Sequence, residues 1–187
     1  MHKLRNDALA FARHICEDGQ GNMWIGTFSA GLHRCDSTLG NFVTYDDKNS
    51  CLMTNCITGL CYDGNSQSLY VATSTGLYVV DTGTGRMECA AAGESDTLAS
   101  LHISCMAIDS HGLVWLGTNN GIMAYSGSER RVLRCLSEAD GLQGNRIHAL
   151  AIDHSGNIWA STATGVSNII VDRGEDGGYV FSCLPYY

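Results

Sequence analysis

The residue types best able to do chemistry in this chain are its nine cysteines and seven histidines. Their spacing does not build a site. Cys51-x4-Cys56-x4-Cys61 is the one cysteine cluster, and it departs from the Cys-x2-4-Cys pairs that hold zinc. A Cys51–Cys56 disulfide stays open, because an odd cysteine count in an exported chain suggests bridges plus one leftover thiol. The histidines share no common spacing and form no pair one helical turn apart. Asp109-Ser110-His111-Gly112 and Asp153-His154-Ser155-Gly156 have the look of calcium loops, yet too few carboxylates follow to fill six oxygen positions. No Gly-x-Ser-x-Gly elbow and no glycine-rich phosphate loop is present. No catalytic residue, metal ligand or cofactor is therefore assigned. What remains is a set of polar residues in loops: Ser74, Thr75, His102, Asn119, Asn120, Asn145, Arg146 and Thr164. Their hydroxyls, amides and guanidinium suit sugar hydroxyls or a uronate carboxylate, although ordinary solvated turns have the same composition.

The elements that would position these loops are announced by repetition. Gly31, Gly76, Gly121 and Gly165 recur at intervals of 45, 45 and 44 residues. Before each glycine stands the same phrase: Trp24-Ile25-Gly26-Thr27, Tyr70-Val71-Ala72-Thr73, Trp115-Leu116-Gly117-Thr118 and Trp159-Ala160-Ser161-Thr162. After each comes Leu32, Leu77, Ile122 or Val166. Self-similarity at this period marks propellers and solenoids.

Alternation and turn signals divide each repeat into four strands. The first covers Arg13 to Asp18, Thr58 to Asp63, Ser104 to Asp109 and His148 to Asp153, apolar or small on both faces, which predicts sheets stacked face to face. A glycine-containing turn leads to the aromatic-bearing second strand, a hairpin. The third strand starts at the repeated glycine, and the fourth holds Phe42, Met87, Leu133 and Phe181. The aromatic supplies buried area, the small residue two places on lets neighbouring sheets approach, and the threonine satisfies a backbone group at the strand end. These repeated residues are read as packing, since a working residue is normally unique. The cysteines fit the same scheme: Cys16 and Cys61 stand where Ala107 and Ala151 do, and Cys89, Cys135 and Cys183 are expected at one position of the fourth strand, as small fillers.

The expected fold is all-β: four tandem four-stranded antiparallel blades of a β-propeller. They form a single segment over 1–187, with blades at about 11–47, 56–92, 102–137 and 146–187. Twenty-two glycines against one proline suit many tight turns. A net charge of -8 repels phosphate backbones and anionic lipid surfaces, so neither nucleic acid nor a membrane is an expected partner. Met1-His2-Lys3-Leu4 lacks the apolar core of a signal peptide, so any export signal is expected outside this chain.

The pattern Asp-x-x-Gly-Asn-Ile-Trp, then Gly/Ser-Thr and Gly-Leu/Val, resembles the two-component regulator propeller repeat of hybrid two-component histidine kinases. Asp140-Gly141-Leu142-Gln143-Gly144-Asn145-Arg146-Ile147, running into Ala151-Ile152-Asp153-His154-Ser155-Gly156-Asn157-Ile158-Trp159, carries the resemblance best. Ile15 to Thr27 follows closely, and the second repeat is degenerate, with Tyr70 for Trp and Ala72 for Gly. The resemblance implies a non-catalytic periplasmic sensor region of an inner-membrane-anchored kinase, responding to glycan-derived ligands such as an oligosaccharide. A propeller enzyme of the streptogramin-lyase kind, or a purely structural interaction scaffold, is the alternative. No closing strand is left over at either end, which predicts a fragment of a larger ring. Its partners would be other blades of the parent, and its outer faces would drive self-association, in the simplest case two chains forming an eight-bladed ring. A closed four-bladed monomer is the other outcome.

Overall fold

A computed structural model describes residues 9, 11–38, 41–90, 98, 101–174 and 178–186. Among these there is no α-helix, and sixteen strands form four antiparallel sheets of four, each in simple sequential order. The first sheet is β1 (Ala12–Glu17), β2 (Met23–Thr27), β3 (Leu32–Cys35) and β4 (Val43–Tyr45). The second is β5 (Ile57–Asp63), β6 (Ser68–Thr73), β7 (Gly76–Asp81) and β8 (Met87–Cys89). The third is β9 (Ile103–Ile108), β10 (Leu113–Thr118), β11 (Gly121–Ser126) and β12 (Arg131–Leu136). The fourth is β13 (Ile147–Ile152), β14 (Ile158–Thr162), β15 (Val166–Arg173) and β16 (Tyr179–Tyr186). A 3-10 turn, Glu138–Asp140, precedes the fourth sheet, capped by Ser137 and ended by Gly141 at φ 105°.

The chain divides into two compact units, Met1–Ile103 and Ser104–Tyr187. Each is built around the contact between two sheets. In the first unit Trp24, Leu32, Leu52, Ile57, Leu69, Val71, Tyr78 and Val80 form one buried cluster. In the second, Leu113, Trp115, Ile122, Leu136, Leu142, Ile147, Ile158 and Ile169 do the same. Burying side chains of this size stabilises by about 1.5–3 kcal/mol each.

The repeated small residue does what the sequence implies. A Cβ at Gly26 would lie 2.6 Å from Ile57 Cγ2, and one at Gly117 would lie 2.8 Å from Ile147 Cγ2 and collide with Cys105 Sγ. In both units the isoleucine that opens the next sheet thus sits directly on the glycine of the preceding one. Ser104 Oγ adds a polar tie, donating to the Gly117 carbonyl at 3.0 Å or the Ile147 carbonyl at 2.8 Å.

Three sequence-based expectations are corrected. The first strands are not uniformly buried: in β1 Ile15 is 65% exposed, and in β13 Ala149 and Ala151 are exposed while Leu150 and Ile152 pack into the core. One face of these strands meets the neighbouring sheet and the other does not. Phe42 stands just before β4 rather than within it. Cys183 does not share the register of Cys89 and Cys135. Cys89 pairs with Tyr78 and Cys135 with Met123, whereas the counterpart residue Ser167 pairs with Pro185 and Cys183 lies opposite Ile169. The eight-residue strands β15 and β16 shift the count by two.

Candidate functional site

The Asp-x-x-Gly-x-x-Trp phrase folds into one device three times. Asp18 accepts hydrogen bonds from the Gln20 and Asn22 amides at 2.9 and 3.0 Å and from the Trp24 indole at 2.8 Å. Asp109 accepts from the His111 and Leu113 amides at 2.9 and 3.0 Å and from Trp115 at 2.9 Å. Asp153 accepts from the Ser155 and Asn157 amides at 2.9 Å and from Trp159 at 2.9 Å. Gly21, Gly112 and Gly156 make the turn at φ 79°, 79° and 84°. The carboxylate thus satisfies both the turn and the indole that the core buries. Burial works against the charge of Asp18, but donors from Asn22, Trp24 and Gln20 outweigh it and hold the carboxyl below its usual range. At Asp153 the Trp159 indole and the Asn157 amide hold it at about 2. These oxygens hold the turn and the indole; among the described residues no group of three potential ligands gathers. The second repeat carries one more turn residue, and Gln67 takes the left-handed position at φ 53°.

The threonines form a second repeated device at the opposite strand end. Thr27, Thr73, Thr118 and Thr162 each donate to the carbonyl of Gly31, Gly76, Gly121 or Gly165, at 2.9 to 3.1 Å. Each also accepts from a loop amide, of Ala30, Thr75, Asn120 or Thr164. Gly31 and Gly121 are obligatory, at φ 81° and 108°, because a Cβ would strike the Tyr45 or Leu136 carbonyl of the fourth strand.

These clamps fix the loops that carry the polar candidates. In the second unit Asn119, Asn145, Arg146 and Thr164 come together around a cleft of about 280 Å³, joined by Glu138, Gly144, Thr162 and Ala163. Asn120 belongs to the same β10–β11 turn but does not line it. Ser74, Thr75 and exposed His102 lie in the first unit, where Ser74 donates its amide to the Cys56 carbonyl.

Within the cleft the residues divide by role. The Asn145 amide donates to Glu138 Oε1 at 3.0 Å, its side-chain oxygen accepts from the Glu138 amide at 2.9 Å, and its carbonyl accepts from the Gly121 amide at 2.6 Å. Asn55 does the same work in the first unit, accepting the Gly31 amide at 3.1 Å and the Asp47 amide at 2.9 Å. Asn145 is therefore a loop tie that the repeat uses twice. Thr164 donates to the Gln143 carbonyl, and Gly144 leaves the room: a Cβ there would lie 2.8 Å from Thr164 Oγ1. Arg146 is different, being exposed and without an ion-pair partner among the described residues. Glu138 and Gly144 escaped sequence reasoning. The signal was present in Leu52-x-x-Asn55-x-Ile57 and Leu142-x-x-Asn145-x-Ile147, a linker repeat whose leucines and isoleucines are core and whose asparagines are ties.

The nine cysteines are all thiols. Burial, with Cys16 nearby, pushes Cys61 up to about 12. His111 meets Tyr179 edge to face at 6.3 Å, and His154 is exposed.

The family described as two component regulator propeller matches residues 9–29, 97–120 and 141–164, which leaves out the degenerate second repeat. No curated protein sequence matches the chain. Among solved structures, the extracellular domain of a putative hybrid two component system from B. thetaiotaomicron matches with TM-score 0.70 and 24% identity, over 91% of this chain and 26% of that one. A second such domain from B. thetaiotaomicron matches with TM-score 0.64 and 20% identity, over 89% and 25%. Virginiamycin B lyase from Staphylococcus aureus matches with TM-score 0.68 and 13% identity, over 99% and 58%. The chain spans about a quarter of the two-component structures, and at these identities the likeness is one of fold. The pattern matched in three of the four repeats is that of the two-component regulator propeller, and the sheets superpose on propeller blades.

Proposed function

We propose that this chain is a non-catalytic ligand-sensing part of an extracytoplasmic propeller, periplasmic and belonging to a hybrid two-component histidine kinase, and that it takes a glycan-derived ligand. The observation that carries this reading is the cleft around Arg146. The threonines Thr27, Thr73, Thr118 and Thr162 and the asparagines Asn55 and Asn145 are engaged within the fold as repeated clamps and ties. At Arg146 a guanidinium without an ion-pair partner among the described residues stands in a cleft lined by amides, hydroxyls and the Glu138 carboxylate, which the Asn145 amide engages. A planar donor fork of this kind suits a carboxylate, and the neighbouring groups suit sugar hydroxyls. A ligand that prefers one arrangement of the parent shifts its equilibrium toward that arrangement, and the kinase reads the shift. No helix among the described residues is long and apolar enough to cross a membrane.

The fold likeness to virginiamycin B lyase keeps a lyase as the second reading. Titration calorimetry of the full chain against acidic and neutral oligosaccharides, with mass spectrometry of the recovered sugar, separates the two. Binding without chemical change, lost in Arg146→Ala, supports the sensor. Unsaturated or cleaved product supports the lyase, and binding unchanged in Arg146→Ala removes the cleft from the account.

A further inference from the structure

Two of the nine cysteines meet where the linker between the first two sheets crosses the edge strand of the second. Cys51 lies in that linker, outside any strand, and is exposed, so a filler role within a strand does not account for it. Its neighbour Leu52 is 3% exposed and belongs to the buried cluster of the first unit, and Cys89, on β8, packs against the same cluster. The Met53 amide donates to the Tyr78 hydroxyl at 3.1 Å, and Tyr78 is the residue that Cys89 faces across β7 and β8. Directly opposed residues project from the same face of a sheet, so the linker at Cys51 and the side chain of Cys89 flank one tyrosine. Partial burial raises the Cys51 thiol, a backbone hydrogen bond works against it, and Cys89 and Glu88 are the charged neighbours that add to the rise. The second unit repeats the crossing. Leu142 holds the place of Leu52 in the linker repeat, which makes Gly141 the counterpart of Cys51. A Cβ at Gly141 would lie 3.3 Å from the Cβ of Cys183 on β16, close to the separation of about 3.5–4.5 Å that a disulfide spans. Cys183 stands two residues from the register of Cys89, yet packs against its own unit's cluster as Cys89 does. There only the strand carries a thiol; in the first unit both sides of the crossing do.

We propose that Cys51 and Cys89 are a disulfide site, a pair of thiols that a small-molecule disulfide oxidises into a brace between the linker and β8. The exposed Cys51 thiolate attacks one sulfur of the donor and expels a thiolate, leaving a mixed disulfide. The Cys89 thiolate then attacks the Cys51 sulfur and expels the second half of the donor. One S–S bond forms in the protein and one breaks in the donor. The donor takes the two electrons and, as two thiols, the two protons. Cys56, nearer in sequence, stands elsewhere: its carbonyl accepts the Ser74 amide at 3.4 Å, beside the β6–β7 turn. The brace would fasten an edge strand only three residues long to the linker whose Asn55 carbonyl holds the Gly31 amide. It would also close a long loop, which restricts the unfolded chain.

The test reduces the full chain, incubates it folded with oxidised glutathione, alkylates it with iodoacetamide and maps its peptides by mass spectrometry without reduction. A Cys51–Cys89 cross-link is expected, with alkylation of Cys51 falling severalfold and returning after dithiothreitol. In Cys89→Ser, Cys51 is expected to stop at its glutathione mixed disulfide. A native chain in which Cys51 stops at that mixed disulfide, stays open to alkylation or joins Cys56 instead overturns the proposal. So does a Cys51–Cys89 link that forms only in urea, because the fold then does not bring the two thiols together.

Discussion

At the scale of the residue, the carboxylates that look most like catalytic or calcium-binding groups hold the tryptophans. Asp109 is 8% exposed and bonds both the turn and the buried Trp115 indole. Asp109→Ala leaves these donors without a partner, so thermal or urea unfolding is expected to show a loss of about 1–3 kcal/mol. Asp153 makes a pH prediction. Its folded carboxyl is held at about 2 against an ordinary 3.8, so its contribution is complete above that ordinary value and is lost as pH falls through about 2. Melts recorded down this window are expected to fall more steeply for the native chain than for Asp153→Asn. The thiols give a third check. Cys35 is fully buried and Cys61 is pushed up to about 12, whereas Cys51 and Cys135 are exposed. Iodoacetamide at neutral pH is expected to modify Cys51 and Cys135 in the folded chain and to reach Cys35 and Cys61 only after unfolding, as peptide mass spectrometry would show.

At the scale of the element, the sheets are held at contact distance by glycine against isoleucine. Gly117→Val drives a branched side chain into Ile147 and Cys105 and is expected to cost about 1–3 kcal/mol. Ile147→Ala empties the seat and is expected to cost about 2–5 kcal/mol. Calorimetric melts of the two variants check both. Here the sequence was most legible: the aromatic, the small residue, the threonine and the glycine each occupy the place their repetition implied. Position within a strand was less legible. The shift of Cys183 arises because β15 and β16 extend beyond their counterparts, and no residue type announces an extension. The exposure of Ile15 and Ala149 was hidden for a related reason, since an apolar strand reads alike whether one or both of its faces are covered. Among the loop candidates, composition could not separate Asn145 from Arg146. One is a tie used again at Asn55, and the other is a group the repeat does not require.

At the scale of the whole molecule, the repeats build the scaffold, and the proposed function assigns specificity to the departures from repetition. The position before the first-strand isoleucine is Cys56, His102 or Arg146, and only Arg146 enters the described cleft. The claim that the working residues are those that differ between repeats is tested by comparing Arg146→Ala with Asn145→Ala in the full chain. For each variant, affinity is measured by calorimetry for an acidic oligosaccharide that binds the native chain, together with the unfolding temperature. The account predicts that Arg146→Ala loses binding with its unfolding temperature unchanged, while Asn145→Ala lowers the unfolding temperature. Native affinity in Arg146→Ala would contradict it.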